Sequence, residues 1–344
     1  MSAPARLPSV AIPTRNGGEL FIRTLAVLAR QTVAHELIVC DSGSTDGSVE
    51  CARASGARVV EIEPARFSHG GTRNLLMAQA TGARVAFLTQ DAEPADERWL
   101  ERLLAGMDLA EDVGIAYGPY RPRPTATPAV RAELAAWFQS LAPDGRPQIA
   151  RLTERERSLP AIDLLGRRGF FTDANACVAR AAWEAVHFRD VAYAEDRVLA
   201  MDMLRAGYAK AFVPAAVVLH SHDYTSVEQL RRCFDEWRGL LEVYGWREPG
   251  SPAQLVRSLR GQLSRAREDL TAEGVSPARR PAALVAVARH HVLRSIGALL
   301  GSHADRLPAE IRRRLSLEGR AGFDPVLLDG RPPDTTPRQR APTT

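Results

Sequence analysis

Five short stretches of this chain carry the residue types that chemistry needs. In TQDAEP (89–94), Asp91 and Glu93 directly follow the apolar run VAFL (85–88), and carboxylates at the end of a buried strand are costly unless a cation meets them. DSGSTDGS (41–48) puts Asp41 at the close of a second apolar run and Asp46 where it can cap a following helix; Asp41 can equally do no more than begin the turn. YAEDRVLAMDML (193–204) places Glu195 and Asp196 at the start of an amphipathic stretch. A carboxylate there can take a proton from a hydroxyl, a general-base role worth about 10²- to 10⁴-fold, although acids also favour the first turn of any helix. HSHDYT (220–225) spaces His220 and His222 by two. In an extended strand they share a face, which suits metal ligation as well as ordinary hydrogen bonding. FSHGGTRN (67–74) is a glycine-bearing turn into a helix, whose backbone N–H groups and Arg73 can receive phosphate.

The elements that must hold these residues follow from periodicity. SVAIPT (9–14), ELIVCD (36–41), ARVVEIE (57–63), RVAFLTQD (84–91) and VGIAYG (113–118) read as strands, separated by stretches with apolar residues at three-to-four spacing that read as helices. Such alternation predicts a mostly parallel sheet covered on both faces. Ligands of these sheets sit at the C-terminal strand ends, which singles out Thr14, Arg15, Asp41 and Asp91. The Pro-rich PYRPRPTATP (119–128) breaks the alternation and predicts a loop or subdomain boundary. Regular structure is expected again at FFTDANACVAR (170–180), in a helix near 195–206 and in a strand AFVPAAVVLH (211–220); after Tyr224 the pattern is helical. The last residues, 331–344, have a disordered composition.

The chain has 344 residues, 45% of them apolar and 25% charged, enough for one large domain or two ordinary ones. Its four cysteines include no CxxC pair, which argues against a zinc site or a disulfide framework and for a reducing compartment. The N-terminus lacks a signal-peptide core and no run is read as approaching a membrane span, so a cytoplasmic location is expected. Residues 224–344 hold 20 basic against 14 acidic side chains, a bias that favours an anionic neighbour. No nucleic-acid recognition motif accompanies it.

Taken in order, SVAIPTRN, DSGSTDGS, SHGGTRN, TQDAEP, FTDANACVAR and AED resemble the inverting glycosyltransferases of family two with the GT-A fold. The resemblance covers residues 8 to about 225, and FSHGGTRN, TQDA, AEDR and HSHDYT resemble the bacterial rhamnosyltransferase branch, which uses dTDP-L-rhamnose in surface polysaccharide synthesis. It implies an α/β, Rossmann-like, mostly parallel sheet flanked by helices over 1–225, followed by a helical C-terminal region over 226–330. It implies a nucleotide-sugar donor and a saccharide or lipid-linked acceptor, with Mg²⁺ or Mn²⁺ bridging the donor diphosphate. By that resemblance Asp91 is an acid of the DxD-type metal site with Glu93 as a second, although Gln90 and Ala92 depart from a full DxD. His222, favoured over His220, is the late histidine that contacts the metal or diphosphate. Asp41 resembles the acid that accepts the N3 proton of a uracil or thymine ring, with Thr14 and Arg15 in the same pocket; Arg73, Asn74 and Gln90 fall on the donor side. Asp196 resembles the catalytic base with Glu195 beside it, while Asp173 and Asn175 resemble acceptor-binding residues. Trp137, Phe170 and Phe171 suit core packing better than sugar stacking.

Rival functions are weaker. A dinucleotide-dependent oxidoreductase wants GxGxxG after the first strand, which IPTRNGG does not supply. TRNGGE is also a poor version of a nucleotidyltransferase loop, and a catalytically silent scaffold would not need Asp41, Asp91 and Asp196 together. Residues 283–300 form a basic amphipathic stretch that can pack on the catalytic domain, dimerise or lie on an anionic membrane.

Overall fold

The computed structural model describes residues 6–323, apart from residues 165, 167, 223, 249 and 273. The tail expected to be disordered (331–344) lies outside the described residues, as does the end of the expected helical region.

Eleven strands are described: β1 Ser9–Thr14, β2 Glu36–Asp41, β3 Arg58–Glu61, β4 Arg84–Leu88, β5 Glu93–Pro94, β6 Val113–Tyr117, β7 Tyr120–Arg121, β8 Gln148–Ala150, β9 Asn175–Ala179, β10 Ala209–Phe212 and β11 Val218–Leu219. Eight of them make one sheet in the order β3-β2-β1-β4-β9-β6-β10-β8, and the two-residue strands make a small second sheet, β5-β11-β7. The pairings β3-β2, β2-β1, β1-β4 and β6-β10 are parallel, while β9 runs antiparallel between β4 and β6. Strands β4 and β6 are apolar along almost their whole length because helices cover both faces of the sheet.

The helices are α1 Gly18–Leu28, α2 Ser48–Ala54, α3 His69–Gln79, α4 Trp99–Met107, α5 Pro128–Leu141, α6 Glu154–Arg157, α7 Arg180–Ala185, α8 Glu195–Arg205, α9 Ser226–Tyr244, α10 Pro252–Ala272, α11 Arg280–Gly301 and α12 Ala309–Leu315. Three cores are described. One packs Leu76, Phe87, Phe171 and Leu199 on one face of the sheet; another packs Phe21, Leu88, Trp99 and Leu103 on the opposite face; the third joins Val198 and Met201 of α8 to Val243 and Tyr244 of α9.

Three expectations need correction. AFVPAAVVLH is not one strand: β10 ends at Phe212 in the large sheet and β11 begins at Val218 in the small one. Pro214, between them, has no N–H to continue a ladder. The Pro-rich 119–128 is not simply a loop, because it supplies β7 and the Thr127 cap with Pro128 opening α5. Finally, α11 is by length and composition apolar enough to cross a membrane. It packs on α9 through two glycines. A Cβ at Gly297 would come within 2.7 Å of Cys233 Cβ and the Leu230 carbonyl, and one at Gly301 within 2.4 Å of the Phe234 carbonyl.

Candidate functional site

Chemistry-bearing side chains collect where the strands end, in a cleft of about 2070 Å³ between the sheet and helices α5, α9, α10 and α11. That exceeds the roughly 300–1,000 Å³ of common ligand pockets, so two ligands can enter it together.

Asp91 stands in the turn after β4, in which the Ala92 amide donates to the Thr89 carbonyl (3.0 Å). His220 and His222 follow β11, and the Nδ1 atom of each faces Asp91 Oδ2, at 3.5 and 3.6 Å. One ligand atom from each of the three residues lies within 4.8 Å of the others. Burial pushes His220 below its ordinary value and His222 down to about 4, helped for His222 by its neighbour His220, so both imidazoles are neutral near pH 7. Burial opposes ionisation of Asp91, yet the imidazoles, in the protonated form they take at acid pH, and the Thr89 hydroxyl hold its carboxyl below the ordinary value. The buried Nδ1 of His220 has no hydrogen-bond partner among the described residues. Neutral imidazole nitrogens converging on a carboxylate, one of them otherwise orphaned, fit a divalent cation. Glu93, expected as a second acid, is not part of the cluster: it sits in β5 and pairs with Arg23 at 3.6 Å.

Sequence reasoning missed the residue that assembles this cluster. Arg123, buried in the middle of the Pro-rich stretch, donates to the Leu219 carbonyl (3.0 Å) and to the Asp91 carbonyl, while its amide donates to Ser221 Oγ (3.0 Å). Its only sequence signal was an arginine in a segment read as a loop.

Across the cleft lies an acidic group at the start of α8. Arg73 forms a bidentate pair with Asp173 and reaches Glu195 Oε1 at 3.1 Å. His69 Nδ1 is 3.9 Å from Glu195. Burial raises the Asp173 carboxyl well above its ordinary value despite Arg73, whereas Arg73 and His69 overcome the burial of Glu195 and keep it low. Asp196 is pushed up to about 6, first by burial and then by the adjacent Glu195 charge. Its Oδ1 accepts the Arg197 amide at 2.7 Å, which leaves Oδ2 for a ligand. A carboxylate with a pKa near neutrality is matched to proton abstraction from a hydroxyl.

Three residues expected to bind ligands have their polar atoms engaged by the protein itself. Arg73 is buried, and its guanidinium is taken by carboxylates and by the His69 carbonyl (3.1 Å), so it is not a free phosphate donor. Asn74 ties α3 to the chain after α7: it donates to the Phe188 carbonyl and accepts from Trp183 Nε1 and the Phe188 amide. Asn175 is fully buried, accepts from Trp99 Nε1 (2.8 Å) and donates to the carbonyls of Pro119 and Ala216. No polar atom of Asn175 remains for a sugar. Apart from the His69 carbonyl, each partner is distant in the chain, so no local pattern could have revealed these contacts. Trp137, Phe170 and Phe171 pack together with Phe138 and Tyr117 in the aromatic core, as expected.

The remaining residues lie on the other side of Asp91. Strands β1 and β2 are in register so that Thr14 stands opposite Asp41. Gln90 fixes that end of the sheet, its side-chain oxygen accepting from Thr14 Oγ1 and the Arg15 amide, both at 2.8 Å. The buried Asp41 accepts the amides of Gly43 and Ser44 at 2.9 Å and the Ser44 hydroxyl. The turn after β1 is locked to the turn after β2: Asn16 Oδ1 accepts the Thr45 amide (2.8 Å), and the Gly18 amide donates to Asp46 (2.9 Å). Asn16, at φ 50°, takes the left-handed conformation that this residue tolerates. The Arg15 side chain is exposed at the rim.

Comparison with known proteins gives the family. The model of the family described as "Glycosyl transferase family 2" matches residues 9–164. The O-antigen chain rhamnosyltransferase RfbN of Salmonella typhimurium is 32% identical over 233 residues, 66% of this chain and 70% of that protein. The O-antigen chain rhamnosyltransferase WbaN of Salmonella anatum is 30% identical over the same shares. Among solved structures, the mannosyltransferase PcManGT from Pyrobaculum calidifontis, in complex with GDP-Man and Mn²⁺, superposes with a TM-score of 0.54 at 17% identity, covering 88% of this chain and 87% of that one. That likeness extends the shared fold beyond β11 into the C-terminal helices. Identity of this extent to two family members means that the chain belongs to glycosyl transferase family 2, as a glycosyltransferase with the GT-A fold.

Proposed function

We propose that this glycosyltransferase moves L-rhamnose from dTDP-L-rhamnose, with inversion, onto a saccharide or lipid-linked saccharide acceptor in surface polysaccharide synthesis. The observation that carries the reading is the pairing, in one cleft, of a cation-ready Asp91–His220–His222 set with Asp196, whose carboxyl is held near neutral pH. The donor sugar is taken from the two rhamnosyltransferase relatives.

Asp91, His220 and His222 would hold the divalent cation, and two imidazoles in the donor set favour Mn²⁺ over Mg²⁺. When bound, such an ion offsets charge that grows on a departing diphosphate. Asp41 is assigned to the N3 proton of the pyrimidine through Oδ1, which accepts only the Ser44 hydroxyl in its turn. Thr14 and Arg15 line that pocket, and Gln90 holds their strand end in place. Asp196 takes the proton of the acceptor hydroxyl as that oxygen forms the new glycosidic bond, in one in-line displacement. Glu195 is charged beside it and raises its proton affinity, and Asp173 lines the acceptor side of the same cleft.

Calorimetric titration of dTDP, UDP and GDP, each with Mn²⁺ and with EDTA, tests this reading. Mn²⁺-dependent binding of dTDP in preference to UDP is expected. Preference for UDP would replace the rhamnosyl donor by a UDP-sugar, and no nucleotide binding at all would favour a silent scaffold in polysaccharide assembly.

The C-terminal helices suit a peripheral place on the inner membrane face. Val285 and Ile296 are exposed on α11 beside the exposed Arg289, and Val256 is exposed on α10 next to Arg257 and Arg260. Apolar side chains ringed by arginines match an anionic lipid surface. Sedimentation with anionic vesicles at low salt, lost at high salt, is the expected result; equal sedimentation with neutral vesicles would contradict it.

A further inference from the structure

Asp196 is set by the segment that leads into α8, and that segment is held from the far end of the chain. At residue 189 it is anchored by Arg189, which pairs with the fully buried Asp202 of α8 at 2.6 and 2.8 Å. At its other end Ala194 is in the left-handed region, φ 61°, and Glu195 and Asp196 follow immediately. A non-glycine residue in that conformation needs the surroundings to impose it.

Tyr193 supplies that constraint. Its ring lies against bare helix backbone, since a Cβ on Gly239 of α9 would come within 2.3 Å of Tyr193 Cδ1. Two guanidinium groups flank the same ring, with the central carbon of Arg232 at 5.2 Å and that of Arg320 at 5.1 Å from its centre. Among the described residues Arg232 has no ion-pair partner. Cations at this range are attracted to the ring face.

Arg320 belongs to a strap after α12 that is seated on α9. The Ser316 hydroxyl and the Leu317 amide donate to the buried Asp235, at 3.1 and 2.7 Å, and Arg238 donates to the Arg320 carbonyl at 2.9 Å. Arg320 in turn donates to the Ala192 carbonyl, within the segment that carries Tyr193. Glu318 of the strap lines the cleft and stands 4.0 Å from His69, the histidine beside Glu195.

We propose that Tyr193 and Arg320 are positioning residues for Asp196, so that the strap Ser316–Arg320 completes the catalytic wall. The inference rests on the reading of Asp196 as the base. A helical region that did no more than stabilise the fold would have no reason to grip Ala192 and Tyr193, just ahead of Glu195.

The test compares full-length Tyr193→Leu, Tyr193→Phe, Arg320→Ala and Arg320→Lys proteins, each shown to be folded by circular dichroism. Turnover is read as release of dTDP from dTDP-L-rhamnose with Mn²⁺. Position is read separately as the ¹³C-carboxyl resonance of Asp196, assigned by its loss in Asp196→Asn. Tyr193→Leu and Arg320→Ala are expected to lower kcat by about 10- to 100-fold, the scale for a misplaced catalytic group, with the donor KM within about twofold. In both, the Asp196 resonance moves, while Tyr193→Phe and Arg320→Lys stay close to the parent in both readouts. Folded Tyr193→Leu and Arg320→Ala proteins with parental kcat and an unmoved Asp196 signal would overturn the proposal. If the parent releases no dTDP, the donor assignment fails, and the carboxyl resonance alone then decides whether the strap sets Asp196.

Discussion

Replacing Asp196 by Asn is expected to lower sugar transfer by about 10²- to 10⁴-fold, the contribution of one positioned base, while donor binding is retained. The amide keeps the size of the carboxyl and the contact with the Arg197 amide, but it cannot accept a proton from the acceptor hydroxyl. The parent enzyme should show the matching pH profile. Asp196 is raised to about 6 and is active only when ionised, so kcat is full above that value and falls tenfold per unit as pH drops below it. Initial rates of nucleotide release, with donor affinity measured in parallel, check both points. Transfer by Asp196→Asn at the parental rate would remove the base assignment.

The second large effect is expected at the cation cluster. Asp91→Asn and His220→Ala should each weaken Mn²⁺-dependent donor binding by at least about 10- to 100-fold, a range that even outer-shell substitutions reach. His220→Ala is the sharper test because its Nδ1 is buried with no hydrogen-bond partner among the described residues, so the change removes a ligand atom aimed at the cluster. His222→Ala should have a smaller effect, since that side chain is 41% exposed and water can take its place. Donor titrations across a Mn²⁺ series separate these outcomes. Parental affinity in His220→Ala, with the dependence on Mn²⁺ intact, would show that the ion is bound elsewhere.

Much of this architecture is written in local pattern. Strands β1, β2, β4 and β6 are continuous apolar runs, and the rule that ligands gather at strand ends led to Thr14, Asp41 and Asp91. Position in the sheet was not legible: β9 lies antiparallel between β4 and β6, and nothing within NACVA encodes its neighbours. Among site residues, Asp91 and Asp196 fall in the cleft because a strand end and a helix start present them. The internal contacts of Arg73, Asn74 and Asn175 were not legible because most of their partners are far away in sequence. Arg73 meets Asp173 100 positions on, and Asn74 meets Phe188 114 positions on. A polar residue in a motif can recognise a ligand or cross-link two segments, and only the tertiary fold separates those uses. The approach of His220 and His222 to Asp91 was hidden for a related reason: the strand expected over 211–220 breaks at Pro214, and Arg123, from a third segment, ties Leu219 to Asp91.

That arginine also bears on how an ion would be taken up. Because Arg123 pins the carbonyl of Asp91 and that of Leu219, next to His220, with one guanidinium, the two arms of the cluster are gathered by the polypeptide alone. Loading of a divalent ion would then consist mainly of stripping water from it, with little chain ordering left to be done. The site would in this sense act as a preformed receptor, in which one divalent ion could replace another without the fold loosening.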